Sequence, residues 1–256
     1  MGGDRMRVIR EETTATVDTI RVLRIDGNPA TTDELTAATG QTEFDVTVTE
    51  PDAGLDRVRA ASFDCIVSSY ALPGTNGLAV FETVREEDGT TPFVLYAESG
   101  DEGVAERALA AGVSGYVQTG ESAVLANRIE TEVRRHRSQQ TAQRTIDALE
   151  ASRDGIAIFD SDGQFQYVNE AYASVYGYSP EELVGGGWNQ LYPESEIEHY
   201  ETEIVPTLQS EGGWTGECEC LHRDGFQFRS RHSISDFEEG GHVCVIHHGS
   251  VRASDA

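Results

Sequence analysis

Three sets of side chains in this 256-residue sequence have types and spacings suited to chemistry. Asp26 and Ser69 each stand where an apolar run gives way to a polar loop, in "IRVLRIDGNP" and "FDCIVSSYALPGTNG", the place where a parallel sheet presents its reactive groups. Asp26, followed by Gly27, offers one hard carboxylate to a divalent cation; Ser69 offers a hydroxyl, a weak nucleophile without a base beside it. Cys218, Cys220 and His222 alternate, as do His242, Cys244 and His248, the pattern of zinc ligands on one face of a strand. His199 carries the imidazole that haem iron would require.

The elements that must position these groups fall into two textures. "IRVLRI", "FDVTVT", "FDCIVSS", "PFVLYA" and "SGYVQT" read as five strands, alternating with amphipathic segments that start near Pro29, Ala53, Leu78 and Glu102. That alternation predicts an α/β domain, a doubly wound five-stranded parallel sheet with helices on both faces. A fifth helix begins near Glu121, with Leu125, Ile129, Val133, Ile146 and Leu149 as an apolar stripe that could pack on its own domain or zip against a second copy. Beyond it, two strands joined by Asp160-Ser161-Asp162-Gly163 precede short helices, a longer helical pattern over Ile197 to Gln209, and three strands, "WTGECECLH", "FQFRSRHSIS" and "HVCVIHHGSV". The expected layout is a polar tail over 1–18, an α/β domain over 19–137, a helical linker over 138–150 and an α+β domain with a five-stranded antiparallel sheet over 151–252.

Composition narrows the classes. Acidic residues number 45 against 19 basic ones, a net charge of −26 with no lysine. Such a surface repels nucleic acid, and the densest basic cluster, Arg134, Arg135 and Arg137, lies on one helix as a solvated face. Acid spread through both halves is the surface expected of a halophilic archaeon, where the Debye length falls to ~3 Å or less. The four cysteines form no CxxC pair, and no apolar stretch reaches membrane-span length, so a cytoplasmic protein is expected.

The first half resembles the receiver domain of two-component response regulators (a flavodoxin-like fold), on the strength of "RIDGNP", "IVSSYALPGTNG", "LYAESG" and "YVQTG". The resemblance implies phosphoryl transfer to an aspartate, with Mg²⁺ on an acidic pair, a hydroxyl residue and a lysine completing the pocket. Here the acidic pair falls on Asp26 and Gly27, the acceptor on Ser69, the hydroxyl on Ala97 and the lysine on Thr119. Four of the five positions depart from the pattern, and Asp64 lies at the far end of its strand. A pseudo-receiver that is not phosphorylated and acts through protein contacts is therefore expected.

The second half resembles a PAS domain through "GIAIFD", "FQYVNEAYASVYGYSPEELVG", "GGWTGECECLHRDG" and the closing strands. The resemblance implies a cavity, with Tyr172, Tyr176, Trp188, Leu191, Phe228 and Ile234 as candidate walls, and an occupant that is unknown. PAS strand order would part the two Cys/His trios by two spacings of ~4.8 Å, too far for shared bonds of ~2.3 Å. Cys218 and Cys220 with His232 remain the weak metal candidates, and cysteines packed in a sheet account for the pattern without an ion. His199 has acidic, solvent-facing neighbours, which argues against haem. No cysteine stands where a flavin adduct would need one.

The function expected is a signalling adaptor or sensor, not an enzyme, contacting histidine kinases or transcription regulators, with a homodimer through the linker helix as a further partner and with neither DNA nor membrane bound directly. An active phosphorelay response regulator is the alternative class; so is a haem- or small-ligand-binding PAS sensor that modulates transcription through a partner. A chain ending at Ala256 leaves no room for a kinase's catalytic domain.

Overall fold

The computed structural model describes residues 18–27, 42–97, 102–118, 122–237 and 240–253. Contacts divide the chain into two compact units at Thr141 and Ala142.

In the first unit, β1 (Asp18–Ile25), β2 (Thr42–Thr49), β3 (Cys65–Ser69), β4 (Phe93–Ala97) and β5 (Gly115–Gln118) form a parallel sheet in the order β2-β1-β3-β4-β5. Both faces are covered, so the strands read as continuous apolar runs. Ile20, Val22, Cys65, Val67, Val94 and Val117 pack beneath Leu125, Ile129 and Val133 of α4 (Ser122–Glu150); Leu23, Ile25, Ile66 and Leu95 meet α2 (Gly77–Glu87) and α3 (Glu102–Ala111) on the other side. α1 (Pro51–Ala60) joins the second face through Leu55 and Val58. The segment expected to be helical near Pro29 lies outside the described residues. Domain packing accounts for the first three positions of the α4 stripe, whereas Ile146 is exposed.

The loop after β3 is a minimal hairpin in which Leu72 pairs with Thr75, turned by Pro73 and by Gly74 at φ +73°, as a type II turn requires. Asn76 then caps α2, its side chain accepting from Leu78 N and Ala79 N at 3.0 Å each. The proline and glycine frame thus carries the chain from strand end to helix start across the sheet's carboxyl edge.

In the second unit, β6 (Gly155–Phe159), β7 (Phe165–Val168), β8 (Gly213–Leu221), β9 (Gln227–Asp236) and β10 (His242–Ile246) form an antiparallel sheet in the order β8-β9-β10-β6-β7. Between β7 and β8 lie α5 (Glu170–Tyr176), α6 (Pro180–Leu183), a tight turn at Trp188–Leu191, α7 (Glu194–His199) and α8 (Val205–Glu211). Fully buried Asn169 ties four backbone groups together: its Oδ1 accepts from Ile156 N at 2.8 Å and Tyr172 N at 2.9 Å, and its Nδ2 donates to Leu149 O at 2.9 Å and Asp154 O at 3.1 Å.

Two expectations about this unit are corrected. The longer helix begins at Glu194 and passes through a π turn at Tyr200–Ile204 before α8. Pro206 lacks the N–H that would bond one turn back, and the wider turn accommodates it. The last strand stops at Ile246 and not at Val251, because Ser250 N bonds back to His247 O and only Arg252–Ala253 rejoins β9.

Candidate functional site

The carboxyl edge of the first sheet brings Asp26, Ser69 and Tyr96 together, since Ile25 registers with Ser68 and Ser69 with Tyr96. Asp26 is buried. Its Oδ2 accepts from Arg24 Nη2 at 2.9 Å, from Arg24 Nε at 3.2 Å and from the Tyr96 hydroxyl. Arg24 Nη2 also donates to the Tyr96 oxygen at 2.9 Å. Burial disfavours the Arg24 charge, yet the Tyr96 hydroxyl and Asp26 outweigh it and raise the pKa; burial and then the bond to Asp26 raise that of Tyr96. The one carboxylate at the metal position is thus already paired with an internal cation, and Mg²⁺ would have to displace it while collecting several oxygens.

The neighbouring positions offer little more. A Cβ on Gly27 would come within 2.7 Å of Pro73 Cδ, so a second carboxylate has no room while that turn is in place. Ser69 is buried and spends its hydroxyl proton on Ala71 O at 3.3 Å, a backbone carbonyl and not a base. Ala97 ends β4 with a methyl group, and Thr119 lies outside the described residues. Asp64 sits at the opposite edge, bonded to Arg21 N and to Arg137, each at 2.9 Å. Two of the three clustered arginines are engaged, Arg135 with Glu132 at 2.7 Å and Arg137 with Asp18 at 2.6 Å as well as Asp64.

Sequence reasoning missed Arg24 and Tyr96. The available signal was parity: Ile20, Val22 and Arg24 share a buried face of β1, and a charge there demands a partner.

In the second unit Tyr172, Tyr176, Leu191, Phe228 and Ile234 are buried in one cluster, with Trp188 packed against it. A gap of about 10 Å³ beside them is lined by Phe159, Trp188, Tyr192, Tyr200, Ile234, His242 and Cys244, room for roughly one water. Of the six candidate walls, Trp188 and Ile234 line it. A polar thread runs through this core around His232, which is fully buried. Its Nε2 lies 2.7 Å from Ser230 Oγ and 3.6 Å from Cys220 Sγ; its Nδ1 lies 3.3 Å from the Tyr192 hydroxyl and 3.6 Å from Cys244 Sγ. Burial lowers the His232 pKa to about 3 and pushes Cys220 up to about 11 and Cys244 up to about 12. The Tyr172 hydroxyl is buried in the same cluster without a well-formed hydrogen bond.

The two sulfurs approach opposite nitrogens of the ring, so they share no coordination centre with it. Cys218 is buried beside Glu196, its thiol pKa raised first by burial. The third member of each expected trio is off its strand: His222 follows the end of β8, stacked on Phe226 at 4.2 Å, and His248 lies in the turn after β10, its N–H bonded to Asp154. Among the described residues no three His, Cys, Asp or Glu side chains gather as a metal site. His199 ends α7 about a third exposed, 3.6 Å from Glu203.

Residues 22–129 match the response regulator receiver domain, and residues 149–225 match the PAS fold. Along the chain a receiver-domain match is thus followed by a PAS-fold match, one in each compact unit. Over 254 residues it is 29% identical to the bacterioopsin transcriptional activator of Halobacterium salinarum, a match covering 91% of this chain and 38% of that protein's length. Among solved structures, a CheY-like receiver domain protein from Methanospirillum hungatei aligns at 16% identity over 48% of this chain and 99% of its own, with a TM-score of 0.42. A PAS domain from Colwellia psychrerythraea aligns at 24% identity over 43% of this chain and 98% of its own, with a TM-score of 0.40. No described helix is long and apolar enough to cross a membrane.

Proposed function

We propose that the receiver unit is a protein-interaction module that is not phosphorylated, and that the PAS unit senses or docks, making the chain a cytoplasmic adaptor with no enzymatic role. The observation that supports this most is the Arg24–Asp26 pair: an internal guanidinium occupies the carboxylate on which Mg²⁺ would sit. Ser69 in place of an acceptor carboxylate, with its proton on a backbone carbonyl, supports it further. Four buried free thiols agree with a reducing compartment.

The relative from Halobacterium salinarum is described as a transcriptional activator, which supports output on transcription. We place that output in a partner protein that reads DNA, because two of the clustered arginines are spent on internal ion pairs. Histidine kinases are the other partner class.

The test is intact-protein mass after incubation of the full chain with acetyl phosphate and Mg²⁺. The mass stays unchanged in wild type and in Ser69→Asp, because Asp26 remains paired and Gly27 has no room for a carboxylate. A stoichiometric gain of one phosphoryl group in wild type would refute the reading.

A further inference from the structure

Two uncovered surfaces meet in the second unit. In β6 and β10 the alternate residues Ala157, Phe159, Cys244 and Ile246 are buried in the core, so Ile156, Ile158, Val243 and Val245 project from the opposite face of the sheet. Val243 is in register with Ile158, and Val245 with Ile156, which makes a square of aliphatic side chains across the two strands. All four are half-buried, and they take no part in the core cluster on the inner face. Tyr167, in register with Ile158 on β7, widens the square.

The other surface is the end of α4. From Ser138 to Ala148 every residue is exposed, about three turns of helix with no packed face. Helices that short draw their stability from an apolar stripe laid on something else. Gln139, Ala142, Ile146 and Leu149 recur at spacings of three, four and three, which sets them on one side of the helix. The charged residues of the segment, Arg144 and Asp147, fall on the other side. The Tyr167 hydroxyl donates to Glu150 Oε1 at 2.7 Å, so the helix ends beside the aliphatic square.

Charge limits what can lie on this surface. At −26 the chain repels its own copies over most of its area, and multimolar salt only shortens the range of that repulsion. Neither the helical stripe nor the square carries a carboxylate. At the flank of the square Glu217 stands opposite Arg231 and Glu219 opposite Arg229, a balanced set that complements itself when turned about a two-fold axis. A specific interface needs roughly 600 Å² from each partner, beyond a three-turn stripe by itself, and the sheet face extends it. We infer that a second copy of this chain covers the exposed end of α4 together with the outer face of the second sheet, in a two-fold dimer. This adds a partner to the adaptor reading and rests on none of the receiver chemistry.

Sedimentation equilibrium of the full chain in multimolar KCl tests the dimer. Wild type is expected to reach twice the chain mass at micromolar concentration. Ile146→Glu on the helix and Ile158→Glu on the sheet each raise the dissociation constant at least ~10-fold, whereas Arg144→Glu, on the far side of the helix, leaves it unchanged. Circular dichroism reads whether each variant keeps its fold; if Ile158→Glu does not, Ile158→Thr, which suits a strand, takes its place with a shift in the same direction. A wild-type monomer, a dimer indifferent to both substitutions, or one weakened equally by Arg144→Glu would overturn the inference. Phosphorylation is read separately by mass, so failure of either reading is recognised without the other.

Discussion

Arg24 and Asp26, two residues apart in sequence, meet at 2.9 Å between side chains that are only 6% and 12% exposed. With the Tyr96 hydroxyl bonded to both, the carboxylate at the metal position is satisfied by side chains of β1 and β4.

Removing one member of this pair leaves the other charge buried. Arg24→Ala or Asp26→Ala is expected to cost about 3–5 kcal/mol, whereas Arg24→Met with Asp26→Leu recovers most of that. Urea midpoints of the full chain measure it. The loss persists in high KCl, since buried pairs are screened far less than surface ones.

The pH dependence of the second unit follows from His232. Its folded pKa, about 3, lies below the ordinary 6.5, so the unfolded chain binds the proton more tightly. Its contribution is whole above about pH 6.5 and declines as pH falls toward 3, by roughly 1.4 kcal/mol per unit. His242 is lowered in the same direction, chiefly by burial. His232→Gln should be less stable at neutral pH yet show a shallower acid limb in thermal melts across that window.

Burial raises the thiol pKa of all four cysteines, with Cys220 at about 11 and Cys244 at about 12. Thiolate is the reactive form. Iodoacetamide at neutral pH should therefore leave the native protein unmodified over a period in which the unfolded chain is alkylated at four sites. Rapid native labelling of Cys220 would contradict the buried polar thread.

Asn169 caps α5 and holds Leu149, Asp154 and Ile156 at once. Asn169→Ala removes the cap and leaves buried backbone groups unsatisfied, at an expected cost of about 2–4 kcal/mol, visible in calorimetry as an earlier melting of the second unit.

Much of this architecture was legible because local patterns carry it. Five apolar runs became five parallel strands, and the Pro73-Gly74 turn with Asn76 explains the loop that delivers Ser69. What was not legible depends on contacts distant in sequence. Arg24 reads as an interruption in "IRVLRI" until Tyr96, on the second strand over, is placed beside it. Alternating Cys and His marked the strand faces but not where the ladders stop, so His222 and His248 were extended onto strands they have already left. His232 as the centre of the buried thread needed three adjacent strands in register, although Ser230 and His232 between Phe228 and Ile234 were a visible polar break in an apolar face.

The central claim is that this pocket cannot seat a metal-bound phosphoryl group. Fluorine NMR of the full chain with Mg²⁺ and beryllofluoride, a phosphoryl mimic, tests it most directly. Only the free fluoroberyllate signals are expected, unchanged by Asp26→Asn; a protein-bound fluorine signal that requires Mg²⁺ and disappears in Asp26→Asn would contradict the account.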